Sequence, residues 1–255
     1  MIESNDRVMG GFVVRVIPIG VWGGYPKANG ANSSFLVIEN DFHLLIDCGS
    51  GVLASLQQVI AIQDLDAVIV THYHHDHIAD IGVLKYAKLV QNQLHENKKI
   101  SVYTHDQDDK FKEWKSNEDI QFYPFKEGEQ QIGPFTVRTL VTNHPVYCLA
   151  IQLENSKGKK VTFTADTAWK EELIAFSAGS NLLVSEANLY EHLEGKIPGH
   201  LSGREAGRLA RKGNVEQLLL THLPHFGDVN DLVKEARSEY DGPVSLAVVH
   251  HTYEV

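Results

Sequence analysis

Cysteine, positive charge and long apolar runs are what this 255-residue chain has least of, and each shortage closes a route. The two cysteines, Cys48 and Cys148, sit in apolar surroundings. They read as core thiols, which excludes a disulfide framework or a cysteine-built metal site. Lysine and arginine total 23 against 33 aspartates and glutamates, a net charge of −10, and this excludes an extensive, sequence-independent nucleic-acid surface. No apolar run approaches the roughly 20 residues needed to span a bilayer. The polar stretch Met1–Gly10 has no signal-like apolar segment, so the expectation is a cytoplasmic protein with no membrane partner. The glycine-rich stretch Gly20–Asn32 has neither the Walker nor the Gly-x-Gly-x-x-Gly spacing, which removes the common phosphate cradles. Repeats, low-complexity tracts and linkers are missing too. With 43% hydrophobic and 22% charged residues, the chain can form one packed domain over 1–255.

Histidine is plentiful: fourteen residues, unevenly placed. Thr71–His77 reads Thr-His-Tyr-His-His-Asp-His. An apolar, β-branched run, Asp66–Thr71, precedes it and reads as a buried strand; Ile78–Leu94 follows with helical spacing. The cluster therefore lies where a strand gives way to a helix. His72 and His74, two apart on extended chain, aim the same way, and the turn carries Asp76 and His77 to a neighbouring spot. Imidazole and carboxylate donors on so rigid a junction suit zinc or a similar divalent ion. Four donors within six residues crowd one tetrahedral ion, so two adjacent ions are the natural reading.

The rest of the chain reads as strands Phe12–Ile19, Ser34–Ile38 and His43–Ile46, then a helix Gly51–Ile60 before the cluster. After it come strands Ile100–Thr104, Gln121–Phe125, Phe135–Val141, Tyr147–Leu153 and Lys160–Ala165, with a polar helix near Asp106–Ser116. Helices Glu171–Ala178, His200–Arg211 and Asp231–Tyr240 then alternate with strands Leu182–Glu186, Val215–Thr221 and Val244–His250. Runs of neighbouring strands followed by α/β units imply two sheets packed face to face with helices outside, and a metal site at one edge.

Three further polar residues each stand just past a strand: His144 (with Pro145 opposing helix), Asp166, and His222 in a second Thr-His pair. With its His-x-His-x-Asp-His, single His, single Asp and final Thr-His in this order, the sequence resembles the metallo-β-lactamase-fold hydrolases. Leu45-Ile-Asp-Cys-Gly49 is similar to that family's short Asp-x-Gly motif. The resemblance implies an α/β (α+β) four-layer αβ/βα sandwich of two mixed sheets flanked by helices. It also implies two Zn²⁺, with Mn²⁺ or Fe²⁺ able to share such ligands. His72, His74 and His144 would hold one ion, Asp76, His77 and His222 the second, and Asp166 both, with Asp47 orienting a ligand imidazole.

Within the superfamily the chain looks most like the ribonuclease Z-like phosphodiesterases. Thr164-Ala-Asp-Thr167, Ser185-Glu-Ala187 and Gly199-His-Leu-Ser202, followed by Glu205–Ala210, are similar to that branch's motifs. The resemblance implies that His200 contacts the scissile phosphate and protonates the leaving oxygen, with Glu186 orienting it. The 22-residue step from His144 to Asp166 reads as strand, turn, strand, where true ribonuclease Z carries a tRNA-gripping arm. The expected substrate is therefore a small phosphodiester or nucleotide, attacked by a metal-bridging hydroxide, with Asp76 both ligand and orienting group. Water held by such ions ionises near pH 7 rather than about 16. A lactone or thioester hydrolase of the same fold is the alternative, with tRNA 3′-processing and a non-catalytic metal scaffold behind it. Trp22 and Tyr25 on the glycine-rich loop, His225, and His250-His251 are candidates for the pocket wall. A homodimer would help close the pocket, and dimers are common in that superfamily.

Overall fold

In the first half of the chain, alternate residues of each strand enter two different cores, which is why these strands are apolar on both faces. Val16, Phe35, Val37 and Ile69 face the layer between the sheets, whereas Ile17, Leu36, Ile38, Val68 and Val70 join a second core beneath the helices. The computed structural model describes residues 13–94, 98–125 and 128–255. The strands run in chain order as β1 (Arg15–Gly20), β2 (Ser34–Glu39), β3 (Phe42–Ile46), β4 (Ala67–Ile69), β5 (Ile100–Thr104) and β6 (Ile120–Pro124). They continue as β7 (Gly128–Ile132), β8 (Phe135–Val141), β9 (Leu149–Glu154), β10 (Lys160–Phe163), β11 (Leu182–Glu186), β12 (Leu218–Thr221), β13 (Val244–Leu246) and β14 (Tyr253–Glu254).

Two seven-stranded sheets result, ordered β14-β1-β2-β3-β4-β5-β6 and β13-β12-β11-β10-β9-β8-β7. Both are mixed: β3 to β6 and β10 to β13 pair in parallel, the rest antiparallel. The helices are α1 (Val52–Leu56), α2 (His75–Ile78), α3 (Ile81–Leu94), α4 (Lys110–Glu113), α5 (Glu172–Ser177), α6 (Gly203–Lys212) and α7 (Val229–Arg237). This is the expected pair of mixed sheets with helices outside. None of the described helices is long and apolar enough to cross a membrane.

Several local expectations are corrected. The helix read over Ile78–Leu94 is two helices, because Asp80 turns aside: its carboxylate accepts from Leu53 N on α1 (3.1 Å) and its own amide donates to Cys48 O (3.0 Å). The helix expected from Gly51 to Ile60 stops at Leu56, and the polar helix near 106–116 shrinks to α4. Strand β7 was not foreseen, since Gly-Glu-Gln-Gln-Ile lies on a sheet edge where only Ile132 is buried and no alternation is required. The last strand ends at Leu246 rather than His250: His250 adopts φ 64° in a turn closed by His251 N donating to Val248 O, and the chain crosses to the other sheet as β14. Finally, α6 begins at Gly203, so His200 precedes the helix instead of opening it. Phe12 and His95 fall outside the described residues.

Candidate metal centre

Parallel strands leave their carboxyl ends on one side of a sheet, and loops there can collect donors from chain segments far apart in sequence. Asp47 follows β3, Thr71–His77 follows β4, Asp166 follows β10, Glu186 ends β11 and His222 follows β12. His144 joins them from the loop after β8. Three of these strand ends are bent sharply: Asp47, Ala165 and His222 have φ of 60°, 51° and 53°. Such left-handed backbone costs about 1–2 kcal/mol per residue and is held by its surroundings. Gly49 serves the same junction by its bareness, since a Cβ there would lie 1.7 Å from the carbonyl oxygen of Asp76.

All seven residues singled out as ligands converge. His72 Nε2 and His144 Nε2 lie 3.0 and 3.1 Å from His74 Nδ1, with Asp166 Oδ2 3.7 and 4.0 Å from the same two nitrogens. On the other side, His77 Nε2 and His222 Nε2 lie 3.4 and 3.2 Å from Asp76 Oδ2, and 3.5 and 3.4 Å from Asp166 Oδ1. Asp166 thus turns one oxygen toward each group, a bridging arrangement. The spacings suit metal: a tetrahedron with bonds of about 2.0–2.1 Å has edges of about 3.3 Å. His72 Nε2 and His144 Nε2 both face His74 Nδ1 while their outer nitrogens are engaged elsewhere, and a cation among the three would take up all of the inward lone pairs. His77 Nε2 makes the same point, being buried with no hydrogen-bond partner.

Outward-facing ring atoms are tied down as metal-binding histidines require. His77 Nδ1 donates to Asp47 Oδ2 (2.7 Å), which places Asp47 as the resemblance implied. His144 Nδ1 donates to Gly199 O (3.0 Å). His72 Nδ1 faces Thr71 Oγ1 (3.1 Å) and, more loosely, the sulfur of buried Cys148 (3.5 Å). Both cysteines are free and buried, as read from the sequence.

The electrostatics divide the cluster. Burial alone would lower His77 and His222, but the carboxylates of Asp166, Asp47 and Asp76 overcome it and raise both imidazoles, His77 well above its ordinary value. The same contacts hold Asp166 and Asp76 well below the carboxylate range although burial pushes the other way. Burial wins at His72 and His144, which are lowered. Beside the cluster, His200 Nδ1 lies 3.1 Å from each carboxylate oxygen of buried Glu186. Burial opposes the charge on His200, yet Glu186 lifts it to about 9; burial in turn raises Glu186. One ring nitrogen of His200 lies within 4.8 Å of donors on Asp166 and His222.

The cluster opens into a cavity of about 430 Å³. Tyr25 and His225 line it. Trp22 sits behind His225, and His250 lies elsewhere, its Nε2 2.9 Å from Ser55 Oγ, so neither reaches the site. His251 meets Tyr253 edge-to-face. Two contacts escaped the sequence reading: Gly24 N donates to Asp76 Oδ2 (2.8 Å) and Asn188 Nδ2 donates to His222 O (2.8 Å). The glycine-rich loop carried a signal of sorts, since a Cβ on Gly23 would come within 2.8 Å of the His222 ring.

Comparison with known proteins agrees with this geometry. The profile of the β-lactamase superfamily domain matches residues 43–223. The "probable metallo-hydrolase YhfI" of Bacillus subtilis (strain 168) is 41% identical over 239 residues, 92% of this chain and 97% of that protein. Its crystal structure, described as a metallo-β-lactamase-fold protein, superposes with a TM-score of 0.91 at 39% identity, covering 96% of this chain and all of that one. Ribonuclease Z of Thermoplasma acidophilum is 23% identical over 287 residues, 89% of this chain and 92% of that protein. A diphosphatase of the PhnP family shares the fold alone: TM-score 0.73 at 14% identity, over 95% of this chain and 98% of that chain.

Proposed function

We propose that this chain, which belongs to the β-lactamase superfamily and is a metal-dependent hydrolase, works in the cytoplasm as a single-domain phosphodiesterase on a small phosphodiester or nucleotide, with two zinc ions in its donor cluster. His72, His74 and His144 would hold one ion, Asp76, His77 and His222 the other, and Asp166 both. When bound, the metals supply Lewis acidity toward phosphoryl oxygens and acidify water.

The observation that carries the reading is the His200–Glu186 pair on the rim of that cluster. Phosphodiester hydrolysis expels an alkoxide, which needs a proton, whereas a thioester expels a thiolate that leaves without one. Glu186 stabilises the protonated ring of His200, so the imidazolium can give its proton to the departing oxygen and is reset from solvent. Asp76, held by Gly24 N and facing both His77 and His222, keeps its carboxylate ionised and can orient the attacking water. A small substrate is favoured because His144 and Asp166 are joined by β9, a short turn and β10, a step that holds no protruding arm, and because the net charge is −10.

The test is turnover of bis-p-nitrophenyl phosphate by metal-stripped and zinc-reloaded protein, beside a thioester and a lactone. Zinc-dependent release from the phosphodiester is expected. On a phosphodiester with an alkyl leaving group, His200→Ala should lower kcat by about 10²–10³ while binding wild-type amounts of zinc, and the loss on bis-p-nitrophenyl phosphate, whose p-nitrophenolate leaves unprotonated, should be smaller. Release from the carbonyl substrates alone would replace this reading with a lactone or thioester hydrolase.

A further inference from the structure

The mouth of the cavity carries an aromatic shelf that the hydrolytic chemistry does not use. The Tyr25 and His225 rings lie 3.7 Å apart between centroids and 6° from parallel, with Trp22 stacked behind His225 at 5.4 Å and Lys27 Nζ 3.8 Å over the Trp22 ring. The stack is fastened. His225 Nε2 donates to Tyr25 O (2.7 Å) and Gly23 O (3.1 Å), Gly23 N donates to Leu223 O, and Leu223 N to Val21 O. At its tip the loop is tied to Asp76 through Gly24 N. Despite this anchoring, Tyr25 remains 61% exposed and Phe226, edge-on to Tyr190, 49% exposed, and both line the cavity that holds His74, Asp76, His200 and His222.

Two large aromatic side chains left in water lose the burial that normally repays their size. A ring already immobilised against another ring costs little further entropy when a ligand covers its free face. Flat π-faces held in this way accept heteroaromatic bases by stacking, largely without regard to which base. A phosphodiester with only alkyl groups would leave the shelf bare.

We infer that Tyr25, backed by His225, and Phe226 form a subsite for a planar heteroaromatic group on the substrate, so that the phosphodiester hydrolysed is of the nucleotide type. This rests on the phosphodiesterase reading for the reaction, but the subsite is tested by binding. Isothermal titration of the zinc-loaded protein with AMP and with ribose 5-phosphate compares the same phosphate with and without a ring. AMP should bind at least about tenfold more tightly to the wild type. Tyr25→Ala should remove most of that advantage, with ribose 5-phosphate changing less than about twofold, and Tyr25→Phe should keep it. Equal affinities in the wild type, an advantage that survives in Tyr25→Ala, or binding of neither phosphate overturns the subsite. Turnover of bis-p-nitrophenyl phosphate reports separately on the reaction: turnover without ring preference removes the subsite alone, and ring preference without turnover removes only the phosphodiesterase reading.

Discussion

Asp47 accepts three hydrogen bonds: from the Thr71 amide (2.8 Å), the Thr71 hydroxyl (2.9 Å) and His77 Nδ1 (2.7 Å). Because the Thr71 hydroxyl spends its proton on Asp47, its oxygen is left to accept from His72 Nδ1. One carboxylate therefore orients an imidazole in each half of the cluster, one directly and one through a hydroxyl. Asp47→Asn should weaken metal binding by about 10–100-fold in a chelator competition, with all seven donors still present; unchanged affinity would show that the rings are aligned by packing instead. His105 illustrates a different use of burial. It is 1% exposed, its Nδ1 accepts from Gln107 N, and its Nε2 has no hydrogen-bond partner. Burial lowers it to about 4 in the folded protein. Between about pH 6.5 and about 4 the unfolded chain takes up a proton that the folded chain refuses, so stability falls as the pH drops through that window, by up to about 2–3 kcal/mol. In urea unfolding of metal-free protein, His105→Gln should lose correspondingly less stability than wild type between pH 7 and pH 4.

At the scale of elements, the junction after β4 was legible because its ligands are consecutive and lie between a β-branched run and a helical one. The start of α6 was not. Gly199-His-Leu-Ser202 and the Ala-rich stretch after it look continuous, and only the cap marks the boundary. Ser202 Oγ accepts from Glu205 N (3.0 Å) while Ser202 N donates to Glu205 Oε2 (3.0 Å), a capping box that places the N-cap two residues past His200 and the helix one further on. That boundary leaves His200 outside the helix, where it meets Glu186 at the end of β11. Ser202 Oγ also donates to Glu194 (2.7 Å), so Ser202→Ala breaks two contacts and should cost about 1–2 kcal/mol, read as a fall of about 2–8 °C in Tm. No change in Tm would mean that α6 is held by its packing on α7 and not by its cap.

At the scale of the molecule, the donors come from both sheets: four from the loop after β4, and His144, Asp166 and His222 from loops of the second sheet. Metal bound there would join the two halves and would bind only when they are folded together. At a free metal concentration near 1,000 times Kd this linkage is worth about 4 kcal/mol. Exhaustive chelation should therefore lower Tm by about 8–16 °C in calorimetry, and zinc should restore it. A Tm indifferent to metal would mean that the cluster holds none. The sequence by itself determined the donor types, the strand-end placement of each, and the layering of the fold, because hydrophobic periodicity and local backbone preference act over a few residues. Only the tertiary structure decided which oxygen of Asp166 faces which group, that Asp47 serves both, that Gly24 reaches Asp76, and that Tyr25 stands at the mouth while Trp22 and His250 do not. Each of those contacts spans tens to hundreds of residues of chain, and its geometry is set by how two sheets pack, which no local pattern encodes.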